Sequence, residues 1–145
     1  MQTLTLPLSL LIIRLSAATF LAAWTSLKFR VPQSFEAVFH KFYGLDFVTQ
    51  ALAPVVGGLQ MLIVLAFAIG ILRTYTYAAV LLMHGVGTLA SLPNMLDYTT
   101  YPNQLMLAAL PTLGALVALF LLRAEDQFSI DGLRHKSQPH LAPGA

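Results

Sequence analysis

Four apolar runs divide the chain, at about residues 7–27, 54–72, 75–92 and 104–122. The first is interrupted by a single charge, Arg14, and the other three contain no Asp, Glu, Lys or Arg. Each approaches the roughly 20 residues that a helix needs to cross the hydrocarbon of a bilayer. None alternates apolar and polar positions with a period of two, and an isolated strand cannot satisfy its backbone in lipid, so the runs predict helices. The expected fold is all-α: an integral membrane four-helix bundle, with a short interfacial helix between the first and second spans.

The connections support that division. The turn at Arg73–Thr74 is so short that the second and third helices must be antiparallel neighbours. The long connection 31–50 is not polar: Phe35, Phe39 and Phe42 fall within about 60° of one another on a helical wheel, with Tyr43 beside them. This predicts an interfacial helix with its aromatic side turned to lipid or onto the bundle, ending near Gly44. Glu36 and His40 lie four apart on another face. Pro54 stands where a first helical turn tolerates it, and Pro111 is expected to kink the fourth span or leave a carbonyl for another donor. Tyr98 and Tyr101 suit the headgroup region. After Arg123 the segment 124–132 turns acidic and polar. The expected organisation is one membrane domain over 1–133 and a disordered tail over 134–145.

Composition narrows the class further. The chain of 145 residues is 57% hydrophobic and 10% charged, against roughly 25% charged in an ordinary soluble domain. Too few charges are present to coat a water-facing surface, and a net charge of +2 gives no basic footprint for nucleic acid. The chain has no Cys, which removes disulfides and thiolate metal sites together. Arg14 lies inside the first apolar run and no Lys or Arg precedes it, so that run reads as a retained span and not a cleaved signal peptide. Four spans put both termini on one side with Arg73, Arg123, Arg134 and Lys136, against Lys28, Arg30 and Lys41 on the other. The balance points to cytoplasmic termini.

Candidate chemistry rests on polar residues within the spans. By helical rise, Arg14 and Gln60 each fall about 4–5 Å from the centre of their spans, on opposite sides of it, and His84 falls near the centre of its own. Three neighbouring helices would turn Arg14, His84 and Gln60 into a polar ladder across the membrane. A guanidinium at such depth costs roughly 2.5–3.5 kcal/mol on insertion scales, so it should face the bundle interior. No acidic residue is expected at its level. Its acceptors would then be Gln60, Ser16, Thr19, backbone carbonyls, neutral His84, water or a bound ligand. Trp24 and Lys28 lie four apart at the far end of the first helix, as interfacial anchors do. Small residues four apart (Ala18 and Ala22, Ala66 and Gly70, Gly87 and Ser91, Gly114 and Ala118) suit packing seams. No metal site is expected, because His40 and His84 lie on different elements and no zinc or nucleotide motif occurs. No intramembrane carboxylate offers a proton pathway.

Three short motifs, taken together, resemble the DoxX family. The first is Arg14 followed by a small-residue run and Trp24–Thr25–Ser26–Leu27–Lys28–Phe29. The second is Gly57–Gly58–Leu59–Gln60, continuing to Ala68–Ile69–Gly70–Ile71–Leu72–Arg73. The third is Phe128–Ser129–Ile130–Asp131. The likeness covers about residues 8–133, and it departs at Gln60, where such proteins often carry Glu. The resemblance implies a four-helix bacterial inner-membrane protein, similar to the small subunit of thiosulfate:quinone oxidoreductase. It further implies an accessory subunit of a quinone-linked redox complex, with no cofactor in the chain itself and any quinone at a subunit boundary. The alternative is a structural anchor or assembly factor without chemistry of its own. Expected partners are the bilayer and a larger membrane complex or further copies of the chain.

Overall fold

In the computed structural model, which describes residues 4–137, the chain is helical throughout, with no strand among those residues. Helix α1 runs over Thr5–Arg30, α3 over Ala53–Ile69, α4 over Arg73–Ala90 and α6 over Ala109–Leu121. These four long helices close a ring: α1 packs on α3, α3 on α4, α4 on α6 and α6 on α1. Short helices fill the connections, namely α2 at Pro32–Val38, α5 at Leu92–Leu96 and α7 at Ile130–Ser137. Three segments are long and apolar enough to cross a membrane: Thr5–Arg30, Gln50–Ile69 and Asn103–Leu121. Helix α4 is similar in length but begins on Arg73 and carries Tyr75, Tyr77 and His84, which dilute its apolar character.

The ends of these helices follow from their capping residues. Helix α3 stops at Gly70, whose φ of 69° few other residues adopt without strain. The amides of Gly70 and Ile71 donate to the carbonyls of Phe67 and Ala66 and close the last turn. The hairpin turn therefore sits at Gly70–Leu72 and not at Arg73–Thr74, where the run lengths had placed it. The amide of Arg73 opens α4 by donating to the Asp131 carboxylate at 2.8 Å, so α4 begins two residues before the apolar run that announced it.

The connection 31–50 is helical up to Gly44, as its aromatic spacing implied. Helix α2 continues into a π-helical turn, Phe39–Tyr43, which ends on Gly44 at φ 64°. The rings of Phe35, Phe39 and Tyr43 stack in sequence at 4.6 and 5.1 Å. Phe35 is buried with Val48 and Ala53 against the foot of α3. Phe42 stays outside that stack, half-buried, with the Lys41 ammonium 5.3 Å from its ring centre. Burial pushes the Tyr43 phenol above its ordinary pKa.

The closest backbone approach among the glycines of the long helices falls at Gly57, where an added Cβ would lie 3.0 Å from that of Lys28 and 3.1 Å from the Phe29 ring. Gly114, expected to lie in a seam, faces open space. Pro111 stands in the first turn of α6, just after the 3-10 helix Asn103–Ala108, so the fourth apolar run changes helix type beside it. Residues 134–137, read as the start of a disordered tail, belong to α7, and residues 138–145 of that tail lie outside the described residues.

Candidate functional site: a buried polar clasp

Arg14 is 1% exposed, and every side-chain nitrogen has a partner. Nε donates to the Ala68 carbonyl at 3.1 Å, and Nη2 donates to the Phe128 carbonyl at 3.0 Å. Nη1 donates to the Tyr77 hydroxyl at 3.1 Å and to Asp126 Oδ2 in a salt bridge. Asp126 is 0% exposed, and its Oδ2 also accepts from Tyr77 at 2.6 Å. Arg14, Tyr77 and Asp126 thus form a closed triangle. It joins α1, α4 and the segment after α6 across the axis of the bundle.

A second tier surrounds the triangle. Ser129, fully buried, donates to the Asp126 carbonyl at 2.6 Å and accepts from the Gly132 amide at 3.0 Å, which starts α7. An added Cβ on Gly70 would lie 2.4 Å from Ser129 Cβ and 3.1 Å from Arg14 Nη1; one on Gly132 would lie 2.5 Å from the Asp126 carbonyl. Both positions need a residue without a side chain. Asp131 holds the hairpin turn from two sides, accepting from the Arg73 amide and donating its own amide to Gly70 at 3.3 Å. Arg73 Nη1 donates to the carbonyls of Arg123 and Asp126 at 2.9 and 3.0 Å. The Arg123 guanidinium lies 4.4 Å over the Phe120 ring. The segment after α6, which composition presented as a polar exit from the membrane domain, instead folds back over the bundle end.

This geometry corrects two expectations about Arg14. An acidic residue does stand at its level: Asp126, absent from the acceptors considered because it follows the fourth apolar run. Nor is Arg14 the first rung of a mid-span ladder. Its partners are the last turn of α3, Tyr77 near the start of α4 and the residues just beyond α6. Leu10 and Pro7, one and two turns before it, are buried as well, so the packing of α1 continues past Arg14.

His84 and Gln60 are not brought to Arg14. His84 lies seven residues beyond Tyr77, about 10 Å along α4. Its Nε2 donates to the Ala109 carbonyl at 3.0 Å, and its ring meets Phe20 edge-on at 6.1 Å. Gln60 is half-buried eight residues before Ala68, about 12 Å along α3. Trp24 is 57% exposed and meets Phe20 edge-on at 6.3 Å, while Lys28 is half-buried beside Gly57. No cluster of three or more His, Cys, Asp or Glu able to hold a metal ion occurs among the described residues.

The clasp residues that the polar-ladder reading missed are Tyr77, Asp126, Ser129 and Asp131. One signal was available: an interior Arg requires an anion, and only Glu125, Asp126 and Asp131 follow the last apolar run. Asp126 Oδ1 is buried without a hydrogen-bond partner among the described residues. Four of the five Arg14 N–H groups are spent inside the chain, and the fifth, on Nη2, belongs to a side chain that is almost fully buried, so the guanidinium presents no outward-facing donor to a quinone carbonyl. Comparison with protein-family models, curated proteins and solved structures finds no match to the chain.

Proposed function

We propose that the chain is a four-span integral membrane protein that serves a larger membrane assembly as a non-catalytic accessory subunit, with both termini on the cytoplasmic side. One observation carries this reading. The charge embedded in α1 is neutralised inside the chain, while the flanks of the long helices expose Ile12, Leu15, Leu62, Leu65, Leu82 and Val117. A protein whose one charge within an apolar run is closed on itself and whose sides are apolar is built to be embedded and contacted, not to turn over a substrate. The burial of Arg14 also explains how α1 tolerates a charge at all.

A DoxX-like role is supported by where the resembling motifs fall: Arg14, Gly70–Arg73 and Phe128–Asp131 converge on the clasp. On this reading a quinone, where the assembly uses one, sits at the boundary with another subunit, and Arg14 supports the boundary without touching the quinone. Native mass spectrometry after extraction in mild detergent tests the proposal. A stoichiometric protein companion is expected. Recovery of the chain carrying lipid alone, as monomer or homo-oligomer, would overturn the accessory role and weaken the anchor reading with it.

A further inference from the structure

A cleft of about 340 Å³ opens beside the clasp, between the α3–α4 turn and α7, lined by Leu72, Arg73, Thr74, Tyr75, Asp131, Arg134 and His135. Its charged lining is unbalanced. The only carboxylate, Asp131, already accepts from the Arg73 amide, whereas Arg134 and His135 are exposed and have no partner among the described residues. Arg73 is pre-set: Nη1 is fixed on the carbonyls of Arg123 and Asp126, and Nε and Nη2 have no acceptor among the described residues. The Thr74 hydroxyl accepts from Arg123 at 3.4 Å and keeps its own proton to donate.

The place of the cleft narrows the ligand. It lies at the bundle end where α3 stops and α4 starts, the level at which an embedded bundle meets headgroups. Leu72, 60% exposed at its rim, offers an apolar contact at the same level, and Tyr75 beside it is the residue type that favours the membrane–water boundary. Fixed guanidinium donors next to exposed apolar side chains match a molecule with a phosphate at one end and acyl chains at the other.

We propose that this cleft binds the phosphate of an anionic phospholipid, with Arg73 and Arg134 as the principal donors and His135 and Thr74 completing the ring. The site rests on the membrane reading above but not on the accessory role. It also gives the exposed Arg134 and His135 a purpose: a bound lipid would tie α7 to the hairpin turn that Asp131 already clamps.

The test uses the full chain reconstituted in nanodiscs of phosphatidylcholine with a minor fraction of phosphatidylglycerol, released for native mass spectrometry. Retention of phosphatidylglycerol well above its share of the bilayer is expected, about one per chain. The double variant Arg134→Gln/His135→Gln, at exposed positions outside the clasp, should lower that preference about fivefold, the effect of the one formal charge lost with Arg134. Equal retention of the two lipids, or a preference unchanged in the double variant, would overturn the proposal. So would displacement of phosphatidylglycerol by millimolar inorganic phosphate, which would make the site one for a soluble anion. Flotation of wild type and variant with vesicles of pure phosphatidylcholine is measured alongside. Loss of flotation would refute membrane embedding itself, a failure distinct from loss of lipid preference.

Discussion

The two ends of the bundle are closed by opposite means. At one end Arg14, Tyr77, Asp126, Ser129 and Asp131 bind four segments through buried polar contacts, and at Gly70 and Gly132 no Cβ fits. At the other, Asn103 is buried with bonds to Asp97 and Asn94, but Phe35, Val48 and Ala53 form an apolar cluster extended by Phe39, and the polar contacts around that cluster are peripheral. Glu36 accepts from the Gln50 amide at 3.0 Å, and His40 meets Asp46 at 3.0 Å with both side chains largely exposed. A buried charge with its partner removed is penalised heavily, whereas an apolar cluster answers mainly to volume. The first end should therefore be selective about chemistry and the second about size.

Conservative and truncating substitutions can break that contrast. The largest effect is expected for Asp126→Ala, which leaves Arg14 buried without an anion and should cost about 3–5 kcal/mol of unfolding free energy in mixed micelles. Asp126→Asn keeps the shape and should recover little. Phe35→Ala should cost about 3 kcal/mol, but Phe35→Leu should bring the loss below about 1.5 kcal/mol, because that site asks only to be filled. Recovery by Asn and failure by Leu would reverse the assignment of the two ends. Gly70→Ala, which combines a positive φ with a Cβ pressed on Ser129, should cost about 2 kcal/mol in the same assay. Asp46→Asn removes the exposed pair with His40 and should change stability by less than about 0.5 kcal/mol.

The same contrast explains what could be read from the chain in advance. The long helices were legible because apolar runs with almost no charge have few ways to satisfy their backbone, and Gly44 closes its helix by a local rule; Gly70, which reads as part of a seam with Ala66, closes α3 instead. The inward orientation of Arg14 was legible from the cost of placing it in lipid. Its partner was not, because Asp126 is 112 residues away along the chain. It also lies in a segment whose polarity resembles a solvated exit, and it is burial by the fold that makes this segment interior. Phe35 and Phe39 revealed their stack through helical spacing. Phe42, equally well placed on the wheel, fell outside it because the turn at 39–43 is π-helical and changes the angle per residue. Arg14 does not share a ladder with Gln60 and His84 because it turns to Tyr77, Asp126 and two backbone carbonyls, while His84 and Gln60 lie about 10 and 12 Å away along α4 and α3.

A double-mutant cycle on Arg14 and Asp126 reaches the central claim most directly. Unfolding free energies in mixed micelles would be measured for wild type, Arg14→Leu, Asp126→Leu and the double variant. If the two side chains neutralise each other inside the protein, the double variant should be less damaged than the sum of the singles, with a coupling above about 2 kcal/mol. Strictly additive losses would mean that the guanidinium is satisfied elsewhere and that the clasp does not exist as described.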